Sequence, residues 1–119
     1  MGVRLSMFAT DENTRVYEPG EAIFNAYDMG SEMYIVVDGE VELTIDSKVL
    51  EVIGPGQPFG EMALIDQAPR VATAIAKTRC KLIVIPEKRF LFMVQQAPEF
   101  ALEIMKVMAD RLRKMNARV

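Results

Sequence analysis

Three glycines and two prolines fall within one short run, Gly54-Pro55-Gly56-Gln57-Pro58-Phe59-Gly60, and nothing else in the chain constrains its folding as much. Neither a regular strand nor a regular helix tolerates that density of breakers, so the backbone turns sharply here. Residues 61–65 then have the composition of one or two helical turns. A helix that begins directly after glycine presents free backbone N–H groups at its first turn. Those groups, together with the helix dipole, attract an anion. Pro69 ends the helix, and Arg70 follows at the mouth of the next β segment. The fixed charge and planar fork of arginine suit a phosphate better than the point charge of lysine. On these residues alone, a phosphate-binding turn competes with an ordinary loop carrying an exposed arginine.

The flanking pattern is β. Residues 14–17 form a short strand that ends at Glu18-Pro19-Gly20, with Pro and Gly in type II turn positions. Residues 22–25 form a second strand, and Asp28-Met29-Gly30 a turn. Residues 33–37 are apolar on both faces, which predicts a strand buried on both sides. Asp38-Gly39 signals a hairpin. In the strand that follows, Val41, Leu43 and Ile45 are expected to face the core, with Glu42 and Thr44 facing water. Asp46-Ser47 turns the chain into residues 48–53, and residues 71–76 and 81–85 are again β-rich. Strands at this spacing predict a mainly β fold, a β-roll or jelly-roll-like barrel over about residues 14–85.

At Pro86 the period changes. Pro86 suits a helix start and Glu87 complements its dipole. A helix is expected over residues 87–96, with Phe90, Leu91 and Val94 on its inner face, and a longer one over residues 98–116. The longer helix carries two apolar stripes. Ala101, Met105, Met108, Leu112 and Met115 recur at coiled-coil spacing, and Phe100, Ile104 and Val107 make the second stripe. One stripe suffices for docking, so the other is a candidate surface for a partner helix or a cover for a ligand. Arg111, Arg113, Lys114 and Arg118 are read as dipole compensation and solvation at the helix end. Residues 1–13 are weakly patterned, with at most a turn of helix expected near residues 5–8.

A chain of 119 residues fits one domain spanning residues 1–119. Its net charge of −3 lends no electrostatic support to nucleic-acid binding. No apolar run approaches the ~18–20 residues of a membrane span, and no signal-peptide core is visible, so a cytoplasmic location is expected. Cys80 has no partner for an internal disulfide and reads as a small buried residue. The chain contains no histidine, which excludes His-based metal sites, Ser/His/Asp triads and Cys/His nucleophiles. A cupin-like enzyme is disfavoured on that ground, no catalytic or metal-binding residues are assigned, and the chain is read as a binding module.

The string Phe-Gly-Glu-x-Ala-Leu from Phe59, followed after five residues by Arg70-Val71-Ala72-Thr73, resembles the phosphate-binding cassette of cyclic-nucleotide-binding domains. These are the domains of protein kinase A regulatory subunits, the catabolite activator protein and cyclic-nucleotide-gated channels. The resemblance runs from about Thr14 to about Met115, through Tyr17-Glu18-Pro19-Gly20-Glu21 and Gly30-Ser31-Glu32-Met33-Tyr34-Ile35-Val36. It implies a β-roll with two helices behind it, over about residues 86–116, and a ligand-binding set of Gly60, Glu61, Met62, Ala63, Arg70, Val71, Ala72 and Thr73.

Within that set, Arg70 and the backbone N–H groups of Met62, Ala63 and Val71 suit the cyclic phosphate. Glu61 is an acceptor only, which repels phosphate and fits the ribose 2′-hydroxyl; the resemblance assigns Glu61 and Arg70 the same roles. Met105, Met108 and Leu112 are candidates for covering the base. Family members that favour cGMP often carry threonine directly after the cassette arginine. Val71 lacks that hydroxyl, which implies cAMP over cGMP, with the Thr73 hydroxyl as the candidate substitute acceptor for the guanine 2-amino group. Arg70 is expected to be exposed before ligand binds. A second function class stays open: a β-roll interaction module that uses its last helix to pair with another copy or an effector. The output also stays open, since such a module acts in trans, buffers nucleotide or forms part of a larger protein.

Overall fold

The computed structural model describes residues 13–117. The order is β1 (Thr14–Tyr17), β2 (Ala22–Phe24), β3 (Glu32–Asp38), β4 (Val41–Ile45), β5 (Lys48–Ile53), β6 (Pro58–Phe59), α1 (Met62–Ile65), β7 (Thr73–Ala76), β8 (Cys80–Pro86), α2 (Glu87–Gln96) and α3 (Pro98–Ala117). Two antiparallel four-stranded sheets, ordered β1-β8-β3-β6 and β2-β7-β4-β5, form a roll and not a closed barrel. The turn chemistry behaves as its residues dictate. Asp46 and Ser47 both have positive φ, 50° and 66°, which is the type I′ geometry that matches strand twist in a two-residue hairpin. β6, only two residues long, was not anticipated, because Pro58 argues against a strand; it pairs at the sheet edge, where proline is tolerated.

The doubly apolar β3 divides the core. Tyr34 and Val36 point with Leu82 and Val84 of β8 into the roll, where they meet Val41, Ile53, Phe59 and Ala74. Met33 and Ile35 point the other way with Ile83 and Ile85, against Phe90, Phe100 and Ile104 of the helices. The register Met33↔Ile85 and Ile35↔Ile83 keeps each face apolar across the strand pair. Because side chains alternate across a strand, one central strand pair serves both cores.

Several expectations change. In α2 the docking face is Phe90, Met93 and Val94, continued by the C-cap residue Ala97, at helical spacing; Leu91 lies about 100° round from Phe90 and is exposed. In α3 the docking stripe is Phe100, Ile104 and Val107, whereas Met105 and Leu112 of the other stripe are 61% and 59% exposed. Ile45 does not enter the core: the inner face of β4 runs from Val41 at full burial to Ile45 at the sheet end, 41% exposed. The helical turn expected near residues 5–8 lies outside the described residues.

Candidate functional site

A cavity of about 660 Å³ opens where the Gly/Pro turn, the end of the second sheet and the last turns of α3 converge. Its cassette wall consists of Gly60, Glu61, Met62, Ala63, Arg70, Val71 and Ala72. Phe24, Leu43, Ile45, Leu50 and Glu51 form the sheet wall. Met108, Ala109, Arg111, Leu112 and Lys114 of α3 face them. The volume lies within the usual range for small-molecule sites, ~300–1,000 Å³, and the exposed lining surface is mostly apolar, as is typical of them. Seven of the eight residues expected at the site therefore share one cavity. Thr73 lines a neighbouring concavity instead, and its hydroxyl accepts the Ala26 N–H at 3.0 Å. Val71 and Ala72 precede β7, so the strand expected over residues 71–76 begins only at Thr73.

Arg70 is not exposed. It is 6% accessible, and its guanidinium is built in from several sides. Nη1 donates to the Gly60 carbonyl and Nη2 to the Glu32 carbonyl, both at 2.6 Å. Its Cζ lies 4.1 Å from the centre of the Phe24 ring, a cation–π contact. Nε is buried with no hydrogen-bond partner. Its backbone is pinned as well, since Tyr27 N–H donates to the Arg70 carbonyl and Arg70 N–H donates to the Asp28 carbonyl. Burial lowers the guanidinium pKa from arginine's usual range, opposed by Tyr34, Glu32, Glu61 and Asp28. Both hydrogen-bond acceptors are neutral carbonyls, so a buried cation lines the cavity without a hydrogen-bonded counter-ion among the described residues. The two carbonyls take two of the five N–H donors.

Glu61 is 3% exposed and sits at the N-cap of α1, yet its side chain makes no capping bond. It reaches across the cavity, where Arg111 Nη1 donates to Oε1 at 2.6 Å. Arg111 Nη2 also donates to the Pro58 carbonyl, and Nε lies 2.9 Å from Glu51 Oε2, a charge contact off the hydrogen-bond line. Behind Glu61, the first turn of α1 starts its bonding at Leu64 N–H and Ile65 N–H, both donated to the Glu61 carbonyl. The N–H groups of Met62 and Ala63 consequently have no acceptor within the helix.

A family model for the cyclic nucleotide-binding domain matches residues 14–97. The chain belongs to the cyclic nucleotide-binding domain family. It is 32% identical over 107 residues to the cyclic AMP receptor protein of Thermus thermophilus, covering 86% of this chain and 50% of that one. The crystal structure of the Thermus thermophilus catabolite activator protein superposes with a TM-score of 0.79 at 32% identity, over 88% of this chain and 52% of that one. The regulatory domain of Toxoplasma gondii PKA with cAMP superposes with a TM-score of 0.65 at 34% identity, over 71% of this chain and 34% of that one. The chain spans half the length of the receptor protein it matches.

Arg111 was misread from the sequence of this cyclic nucleotide-binding domain. Among four cations at a helix end it looked like dipole compensation, but it ion-pairs with Glu61 and Glu51. One signal was available: Arg111 lies three residues after Met108, on the helix face that borders the cavity. Nothing local distinguishes Glu51 or Glu32, whose parts come from positions far away in the chain. Among the described residues no group of three His, Cys, Asp or Glu could hold a metal ion, and no described helix is long and apolar enough to cross a membrane.

Proposed function

We propose that this chain is a cAMP-binding sensor module that reports nucleotide binding through α3. The observation that carries the reading is Arg70. A buried guanidinium with an unpartnered Nε and only carbonyl acceptors is the complement of a cyclic phosphate, which offers one charge over two oxygens. Glu61 accepts the ribose 2′-hydroxyl, and Met62, Ala63 and Val71 offer backbone N–H groups to the phosphate. The purine lies against Leu43, Leu50, Val71 and the Met108/Leu112 end of α3, all of which line the cavity. Val71 offers guanine's 2-amino group no acceptor, so cAMP is preferred over cGMP. No residue in the arrangement is a catalytic nucleophile, acid or base; the role is binding.

The coupling runs through Arg111. A ribose hydroxyl that takes Glu61 either shares it with Arg111 or displaces Arg111, and Arg111 belongs to α3. The ligand thereby biases one placement of α3 over another. A second reading rests on Met105 and Leu112, which leave an apolar strip of α3 open to a partner helix, from another copy or an effector. Sedimentation with and without cAMP separates assembly from sensing.

Thermal melting tests the proposal. A hundredfold excess of cAMP over its dissociation constant stabilises by about 2.7 kcal/mol, a rise of roughly 10 °C for a chain of this size. Arg70→Ala should weaken binding by at least about tenfold, the loss of one charge-assisted hydrogen bond. Arg70→Lys should recover only part of it. Wild-type protein whose melting temperature ignores cAMP overturns the reading.

A further inference from the structure

Gly30 lies in the β2–β3 connection, eight residues before Asp38 closes β3, and at the sequence level it is only the end of a turn. Its φ lies outside the left-handed region, so no backbone strain requires glycine there. The requirement is space. A Cβ at position 30 would fall inside van der Waals contact with the Cζ and Nε of Arg70 and lie 2.7 Å from Nη2. All three of the nearest atoms belong to the Arg70 guanidinium, and no backbone atom is among them. Gly60 differs: its φ is +78°, so glycine is needed there for conformation as well as for its closeness to Nη1.

We propose that Gly30 is a positioning residue for the phosphate site, a bare stretch of main chain that seats the Arg70 guanidinium against the cavity. The proposal rests on the cyclic-nucleotide reading above. The same connection and the first residue of β3 hold Arg70 at other points. Tyr27 and Asp28 clamp its main chain, and the Glu32 carbonyl takes Nη2. Tyr27 carries a positive φ of 74° with its side chain 84% exposed, which places the cost of this loop shape in its backbone. A methyl group at position 30 would push the flexible guanidinium off both carbonyls and away from the phosphate position while leaving the sheet register alone.

A double-mutant cycle tests this, using calorimetry with cAMP and melting without it. Gly30→Ala should weaken cAMP binding by at least about tenfold, like Arg70→Ala, because it acts by moving the same donor. The pair G30A/R70A should bind no worse than R70A alone. G30A should lower the melting temperature in the wild-type background. In the R70A background it should leave that temperature unchanged or raise it, since alanine is at ease at an ordinary φ. Should G30A alone fail to fold, recovery of folding in G30A/R70A supports the same contact, and failure of both overturns it. Wild-type affinity in G30A, or losses that multiply in the double variant, also overturns the proposal. If wild-type protein binds no cAMP the nucleotide reading fails, and the melting cycle still decides whether Gly30 seats Arg70.

Discussion

Beneath Arg70, three rings make a continuous floor: Tyr34 stacks on Phe59 at 5.2 Å, and Phe24 stands 6.1 Å from each. Tyr34 donates its hydroxyl to Glu32 Oε1 at 2.8 Å, and Arg15 ion-pairs with the same oxygen. Burial first, and then Glu32, push the Tyr34 phenol well above its usual range; Tyr17 adds to the rise and Arg70 opposes it. A raised pKa contributes stability that is fully present below the unfolded value of ~10 and is lost as pH climbs above it. Alkaline titration of the melting temperature should show that loss, and Tyr34→Phe should flatten it. Cys80, also raised by burial, contributes with the same sign, so some slope should survive in the variant. Glu61 makes a separate prediction. Wild-type protein should favour cAMP over 2′-deoxy-cAMP by roughly five- to hundredfold, the cost of a buried acceptor left short of its donor. Glu61→Ala should erase that preference; equal affinities in wild type would mean that Glu61 serves Arg111 alone.

α3 serves two surfaces at once. Its Phe100 and Ile104 dock on the outer face of β3 and β8, with Phe90 edge-on to Phe100 at 6.0 Å, and Val107 is buried on the same stripe. Phe100 is fully buried, so Phe100→Ala should cost about 3–5 kcal/mol of stability by denaturant titration. Leu102, half exposed on the same helix, should change stability by no more than about 0.5 kcal/mol when cut to alanine. Equal losses at the two positions would contradict the docking assignment. Beyond Met108 the helix is held over the cavity by Arg111 on Glu61, Glu51 and Pro58. The coupling proposed above uses the packed end of α3 as its hinge.

In the molecule as a whole, the proposed hinge rests against the outer face of the β3–β8 pair. Most strand pairing is in β3 with β8 and β4 with its two neighbours, and the cassette's short α1 adds Leu64 to the core beside Met33 and Ile35. Hydrogen exchange should therefore respond to cAMP in two places, the cassette and the second half of α3, while the amides of β3 and β8 stay unchanged. Protection confined to the cassette would make this a static binder and remove the coupling through Arg111. Arg111→Ala should loosen the second half of α3 without nucleotide and uncouple it from cAMP, while Phe100→Ala should loosen its first half.

The sequence alone determined where seven of the eight described strands lie along the chain, the hairpin turns, the helix starts at Pro86 and Pro98, and the cassette from Phe59 to Thr73. These are local properties: glycine and proline restrict φ, and alternation or helical spacing marks which side is apolar. It also marked Arg70 and Glu61, since their fixed offset from Gly60 is a local string. Only the tertiary structure decided what surrounds them. Arg70 was expected in solvent and is buried, because its cover comes from Phe24, Gly30 and Glu32, none of them closer to it than 38 residues in the chain. Arg111 meets Glu61 across a separation of 50 residues, and the choice between the two stripes of α3 depends on the β3–β8 face it lands on. A side chain's periodicity shows that it has an apolar side; which surface that side meets, and which charge waits there, depends on the packing of distant segments.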